Sequence, residues 1–426
     1  MKSTSTRRVF LQQSTMAGLA LASAGAWAAV QSGRPARKLA VAVMGLGRGF
    51  DHIKALLTLP DVVVAAVCDV DARRVDRASQ AVEKQTGARP KGFKDVRQML
   101  EDKTVEALFV AAPNHWHAPA TILACAAGKH VYVEKPGSHN PREGEWMVAA
   151  ARRNRRLVQM GNQRRSWPGI IEGIEKLRAG VIGRVFAARC WYNNSRASIG
   201  RGKSAPVPEW LDYSLWQGPA PERPYKDNLV HYHWHWHWHW GNGELGNNGV
   251  HALDVARWGL AVDAPRRVTY GGARYHFEDD QETPDTGVAT FDFGACFATW
   301  EGSSCLPRPG DKVGFTHFYG DKGTLIIDGG GYRLLDPKGL EVDKKTGAGG
   351  DAVHIGNFLD AIRGDAKLNA EIEDAQKSTL LCHLGNIAWR TGRTINYDAA
   401  KGRIEEGQEA QGLWEREYRP GWKPAV

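Results

Sequence analysis

An apolar run at residues 39–44 leads into Gly45-Leu46-Gly47-Arg48-Gly49-Phe50, and apolar positions then recur at Ile53, Leu56 and Leu57. That succession predicts a strand, a glycine turn and a helix. A second strand is expected over 62–67, ending at Asp69, with helices over 71–84 and around 96–100. A third, over 107–112, runs into Pro113-Asn114-His115-Trp116-His117, with a helix over 119–127 behind it. The alternating Val131-Tyr132-Val133 strand ends in Glu134-Lys135-Pro136, and a helix over 142–154 and a strand over 157–160 follow. Strands separated by helices predict a doubly wound, parallel sheet. From about residue 163 the hydrophobic period becomes two, over 184–193, 267–276, 287–293, 296–302, 314–319 and 323–327. These runs predict a large, open, mostly antiparallel sheet. Helical patterns over 246–258, 355–362 and 374–389 complete this half, the last expected to pack back on the first domain.

In an open α/β sheet, ligands bind beyond the C-terminal strand ends. Asp69, Asn114, His117, Glu134 and Lys135 all fall there. Gly45 permits a tight turn and Gly47 the close approach of a pyrophosphate to a helix N-terminus. The third glycine, Gly49, comes one place early, with Phe50 where the usual G-x-G-x-x-G pattern has it. Asp69 stands where an acid bonds the adenosine ribose, about twenty residues after the turn. This favours NAD, while Arg73 and Arg74 keep NADP open. Residues 39–162 thus read as an NAD-binding Rossmann domain, and 163–426 as an α+β domain for substrate binding and oligomerisation. Lys135 has a stiff mount, because Pro136 forbids a further ladder hydrogen bond. Lost solvation and a bound cofactor's positive charge would lower its pKa toward the range useful for proton transfer. On position alone it also reads as a surface lysine at a strand end.

Charge and composition narrow the partners. The N-terminus carries Arg7-Arg8-Val9-Phe10-Leu11, then an apolar, small-residue run over 16–29 with a cleavage site at Ala26-Trp27-Ala28. This resembles a twin-arginine export signal and predicts a periplasmic protein with residues 1–28 removed. The run is too short and too rich in Ala and Gly to span a membrane well. Cleavage removes three cations and no acid, lowering the formal charge from +9 to +6. The remaining excess is dispersed, so no nucleic-acid partner is expected. Six scattered cysteines without a CxxC spacing argue against zinc, and most are expected as free thiols. The 16 tryptophans suit flat contacts with a sugar as well as they suit a core.

The glycine loop, Cys68-Asp69-Val70-Asp71, Pro113-Asn114-His115-Trp116-His117, Glu134-Lys135-Pro136 and Gly161-Asn162-Gln163 follow one another as in the glucose-fructose oxidoreductase, inositol dehydrogenase and rhizopine-catabolism (Gfo/Idh/MocA) family. The resemblance covers nearly the whole mature chain. It implies a nicotinamide beside Lys135 and a second-domain sheet over a sugar. The matching cofactor positions are Gly45, Gly47, Asp69, Asn114, His117, Glu134 and Lys135, and the loop adds Arg48 and Gly49.

The family also places a catalytic Asp and His four apart on the helix at 246–258. His251 matches the histidine, whereas Asn247 stands where the acid is usual. An amide cannot accept a proton, which shifts acid–base work to His251 and Lys135. Helical spacing puts Asn247, His251 and Asp254 on one face. The Pro-, Gly- and Arg-rich loop over 194–230 is expected to be a lid or an inter-subunit arm. Gln163, Arg164, Trp216, His239 and Asp254 complete the candidate substrate contacts. In a strand, His231, His233, His235, His237 and His239 would share one face. A flat row converges poorly on one ion, so no metal is expected. The aromatic tail from Arg403, with Trp414 and Trp422, is expected to dock on a neighbouring surface.

The leading expectation is an exported, NAD-containing oxidoreductase acting on a sugar, polyol or glycoside, assembled as a homo-oligomer, dimer or tetramer. The periplasm supplies no NAD pool, so the cofactor should be tightly held and recycled. One alternative is an NAD-dependent glycosidase working by transient oxidation, elimination, water addition and reduction. Another is a non-catalytic sugar-binding protein.

Overall fold

The computed structural model describes residues 38–426 except 312 and 406. Arg7-Arg8, the apolar run and the expected cleavage site lie outside the described residues. The first sheet contains β1 (Leu39–Met44), β2 (Val62–Cys68), β3 (Lys91–Phe93), β4 (Ala107–Val110), β5 (His130–Val133) and β6 (Val158–Met160). Their order is β3-β2-β1-β4-β5-β6, and every pairing is parallel. β1 and β4 are apolar on both faces, as central parallel strands covered by helices must be. The strand order reverses between β1 and β4, opening a crevice at their C-terminal ends.

The covering helices are α1 (Gly49–Leu56), α2 (Ala72–Thr86), α3 (Val96–Leu100), α4 (Asn114–Ala126) and α5 (Pro141–Arg153); α6 (Pro168–Arg178) follows and packs on the second sheet. Asp71 caps α2 by accepting from Arg73 N, and Asn140 caps α5 by accepting from Glu143 N, so both starts are set locally. α4 begins five residues before the expected Pro119, so the Asn114 to His117 motif forms its first turn. Pro119 has no N–H to give the carbonyl four residues back. That carbonyl, His115 O, accepts instead from Arg416 Nη2 at 2.8 Å. The C-terminal tail therefore docks on this chain's own first domain: Arg416 also meets Glu143 at 2.8 Å, Tyr418 Oη donates to Glu143, and Trp422 packs edge-on against Trp116.

The second sheet has ten strands, built from β7 (Val185–Asn193), β8 (Arg267–Ala273), β9 (Thr286–Asp292), β10 (Phe297–Ser303), β11 (Thr316–Gly320), β12 (Gly323–Asp328), β13 (Gly331–Leu335), β14 (Glu341–Lys345), β15 (Ile395–Asp398) and β16 (Arg403–Ile404). Only β7 and β10 pair in parallel; the other neighbours are antiparallel. Its inner face buries Phe291, Trp300 and Phe318, while Val288 and Phe297 stay exposed on the outer face. Helices α7 (Tyr213–Gln217), α8 (Val250–Leu260), α9 (Asp351–Arg363), α10 (Ile372–Thr391) and α11 (Gln408–Gly412) complete the chain. α8 and α10 pack on the sheet, and α10 also reaches the first domain, where Ser138 Oγ and His383 Nε2 lie 3.0 Å apart.

Candidate active site

The glycine turn is held by geometry that no other residue provides. Gly45 has φ +83°, and a Cβ there would sit 2.5 Å from Ala112 N. At Gly47 a Cβ would lie 2.9 Å from an Arg74 guanidinium nitrogen, so that side chain covers the turn. Gly49 does not line the crevice; its bare Cα lets α1 pack on Val43 of β1. Beyond the turn is a cavity of about 480 Å³ lined by Gly45, Gly47, Arg48, Asp69, Arg74, Asn114, His117, Glu134, Lys135, Gln163, Trp216, Asn247 and His251 among others.

At one end Asp69 accepts from Leu46 N at 2.6 Å and Asp71 N at 2.9 Å. Burial raises its pKa, and those amides and the Arg74 charge oppose the rise. Arg73 is drawn away: it bonds Asp71 and stacks 3.6 Å over Trp210, leaving Arg74 and Lys94 as cations lining this end.

Lys135, at the other end, donates from Nζ to Asn247 O at 2.8 Å and Asn247 Oδ1 at 3.1 Å. Burial pushes its pKa below the usual 10.5, against the pull of Glu134, and the Arg48 charge adds to the lowering. Glu134 is itself locked in place. Its Oε1 accepts from Arg48 Nε at 3.0 Å and faces His52 Nε2 at 2.8 Å, and Lys135 N donates to its Oε2. Burial would raise this carboxyl, but His52 and Arg48 outweigh it and hold Glu134 well below the carboxylate range. Arg48 is committed too, with Nη2 at 2.7 Å from Asp351 Oδ1 of α9. Both residues line the cavity, yet in this geometry they shape the Lys135 mount. His117 likewise clamps two strand ends, with Nδ1 2.6 Å from Pro136 O and Nε2 2.7 Å from Ala112 O. Asn114 Nδ2 donates to Asn242 Oδ1, so it too is turned to the protein.

A π-helical turn over Leu245–Gly249 feeds α8 and brings Asn247 and His251 to the cavity. Burial lowers the His251 pKa well below its usual value, helped by the Lys135 charge. Asp254, only about 60° from His251 around the helix axis, nevertheless does not line the cavity. It lies instead in a buried pair with Arg165, two bonds of 2.8 Å, and accepts from Ser378 Oγ at 2.7 Å. Of the other expected substrate contacts, Gln163 and Trp216 line the cavity. Arg164 packs over Phe315 at 3.9 Å, and His239 faces Pro221 O at 2.7 Å; neither lines the cavity.

The 194–230 loop, with the residues that follow it, is a lid on this chain's own first domain. Asp212 N donates to Val70 O and Ala72 N to Trp210 O, beside the Asp69 end of the cavity. Leu211, Tyr213, Trp216, Tyr225, Leu229, Trp234 and Trp240 give it a small core. The histidine run is not a strand. It folds through turns and a 3₁₀ segment over His233–Trp236, which sends the five rings to different partners. His231 meets Asp71 at 3.0 Å, His233 meets Asn228 O, His237 faces Glu282, and His235 joins Tyr232 and Trp234 in lining the cavity. Among the described residues no three His, Cys, Asp or Glu side chains gather to hold a metal ion. All six cysteines are free. No signal in the sequence pointed to Arg74 rather than Arg73, or to the lid side chains, because both depend on how the lid lands on the β2–α2 turn.

A doubly wound sheet with a glycine turn at its switch point, closed by a second domain and a lid, defines a two-domain dinucleotide-binding protein. The comparisons with known proteins agree: residues 39–162 match the profile described as oxidoreductase family, NAD-binding Rossmann fold, and residues 191–280 the profile for that family's C-terminal alpha/beta domain. The chain belongs to the Gfo/Idh/MocA oxidoreductase family. A glycosyl hydrolase family 109 protein of Saccharopolyspora erythraea is 33% identical over 178 residues, 37% of this chain and 39% of that protein. An inositol 2-dehydrogenase of Salmonella typhimurium is 32% identical over 149 residues, 34% of this chain and 43% of that protein. The match thus spans about two-fifths of each relative's length. Among solved structures, the WlbA dehydrogenase of Bordetella pertussis in complex with NADH and UDP-GlcNAcA has a TM-score of 0.63 at 21% identity, covering 85% of this chain and 99% of that one. The aldose-aldose oxidoreductase of Caulobacter crescentus complexed with glycerol has 0.64 at 19%, covering 84% and 100%. At such identities this likeness concerns the fold alone.

Proposed function

We propose that the protein is an NAD-dependent oxidoreductase acting on a carbohydrate, with NADP as second choice. The observation that carries this reading is that one cavity joins the Gly45 to Gly47 turn and Asp69 to Lys135, Asn247 and His251. The residues fit the cofactor: Gly45 and Gly47 line the cavity where a pyrophosphate would lie, and Asp69 beside them offers an acceptor to a ribose. A nicotinamide bound at the Lys135 end supplies the hydride acceptor. Lys135 and His251, mounted on different domains, hold the reacting hydroxyl and take part in its proton transfer. Similarity to an inositol 2-dehydrogenase favours a polyol or sugar ligand. Similarity to a glycosyl hydrolase family 109 protein favours a second reading, redox-neutral glycoside cleavage.

Mass spectrometry of the cofactor released on denaturing the purified protein, followed by a screen of sugars and glycosides without added NAD, tests both. A protein that neither carries nor binds a nicotinamide would be a sugar-binding protein instead. Asp69→Ala is expected to weaken NAD retention by roughly 1.5–3 kcal/mol, the worth of a charge-assisted hydrogen bond. Unchanged occupancy would reduce Asp69 to a cap on the glycine turn.

The same reading includes export and a retained cofactor. Replacing Arg7 and Arg8 with Lys should leave precursor in the cytoplasm; unchanged export would remove the case for a cofactor that travels with the protein. A homo-oligomer, dimer or tetramer, is proposed for the exported form, and light scattering measures it.

A further inference from the structure

The proton path through Lys135 has no exit on its own side. Nζ donates to the Asn247 backbone carbonyl and amide oxygen, and neither oxygen accepts a proton. The Asn247 position is therefore chemically closed to the proton, and another base has to face the hydroxyl. Four histidines line the same cavity: His117 is held between two backbone carbonyls and His231 meets Asp71, which leaves His251 and His235. His251 Nδ1 is buried without a partner, so no bond fixes its tautomer. His235 differs. Its Nδ1 lies 2.6 Å from Tyr232 O, and a carbonyl only accepts, so the proton sits on Nδ1. Nε2 is left with its lone pair and has no hydrogen-bond partner among the described residues. The ring is stacked on Trp234 with centroids 3.6 Å apart, which fixes its plane. Tyr232 is tied in turn by Arg196 Nη1 at 2.8 Å, and Arg196 pairs with buried Glu244. A base oriented by a third group is the arrangement that nucleophile and acid–base sites share.

We propose that His235 of the lid is a further catalytic base of this site, beside Lys135 and His251, taking the place that Asn247 cannot fill. The inference rests on the oxidoreductase reading above. As the carbinol C–H electron pair leaves with its hydrogen for an oxidised nicotinamide dinucleotide, the hydroxyl proton passes to Nε2 and the C–O bond becomes a carbonyl. Lys135 holds the oxygen meanwhile. Burial pushes the His235 ring down to about 3, with the Lys135 and Arg196 charges contributing, so the lone pair is available at working pH. Because His235 rides on the lid, the base joins the site only when the lid is seated on the first domain.

Three measurements on the full-length protein with its dinucleotide test this. Histidine-ring ¹⁵N spectra should show His235 as the Nδ1–H tautomer, with the Nε2 signal moving when sugar is added; an Nε2–H tautomer overturns the proposal. His235→Ala should slow single-turnover reduction of the dinucleotide by on the order of a hundredfold, and added imidazole should restore part of it. His235→Phe, which keeps the stack on Trp234, should lose as much. The control is His233→Ala, whose ring is held by Asn228 O outside the cavity and whose loss should change nothing. A wild-type rate in His235→Phe, or a loss in His235→Ala that imidazole does not touch, counts against a base and for a purely structural ring. If wild-type protein with its dinucleotide oxidises no sugar, the oxidoreductase reading falls and this inference falls with it; a failure confined to the His235 variants leaves that reading standing.

Discussion

Lys135→Met is expected to keep its fold and its dinucleotide while losing on the order of a hundredfold or more in the rate of hydride transfer, the usual worth of a positioned proton-transfer group. The size of the effect follows from the mount. Lys135 ends a strand buried on both faces, its backbone N–H is held by Glu134, and Glu134 is held by Arg48 and His52. Nζ is therefore presented at one place in the cavity, with its charge already weakened by burial. Methionine fills nearly the same volume and touches none of these supports, so circular dichroism and cofactor content should match the parent. Single-turnover reduction of the bound dinucleotide is the deciding measurement, and a near-normal rate would end the assignment of Lys135 without disturbing the fold.

Asp254→Ala should act in the opposite sense, on stability rather than on chemistry. Asp254 and Arg165 are both buried, joined by two bonds of 2.8 Å, and Ser378 of α10 donates to the same carboxylate. Removing one partner of such a pair leaves an uncompensated buried charge, at a cost of about 3–5 kcal/mol. Part of the Arg165 charge still meets Asp374 at 3.2 Å, which places the expected value toward the low end. Because this pair joins α8 and α10 to the segment after β6, its loss should lower the denaturant midpoint of the whole molecule. The fraction that stays folded should transfer hydride at the parental rate. A slow but fully stable variant would put Asp254 at the substrate after all.

The strand and helix spans were legible because each rests on a period within one segment. β1, β7 and α10 fall within two residues of the stretches their patterns predict. β3, β13, β14, β15 and β16 were missed: the three residues of β3 and the two of β16 carry no period, and β14 is an exposed edge of charged residues. The start of α4 was placed too late because Pro119 reads as a boundary. Only the tail residue Arg416, which satisfies His115 O, makes a helix through that position satisfactory. The histidine run read as a strand because alternation at period two is the only local cue it offers. The lid core and the Arg196 to Glu244 pair impose turns instead.

The sequence by itself determined the parallel-then-antiparallel order of elements, the glycine turn, and the arrival of Asp69 and Lys135 at one sheet edge. These follow from backbone rules that hold within a few residues: φ above zero needs glycine, and side chains alternate along a strand. Only the tertiary structure decided where the long polar side chains point. Arg48 is committed to Asp351, 303 residues away, Asp254 to Arg165, 89 residues away, and His231 to Asp71, 160 residues away. A buried charge must pair with whatever the packing brings beside it, and that neighbour belongs to another element, so no local pattern encodes it.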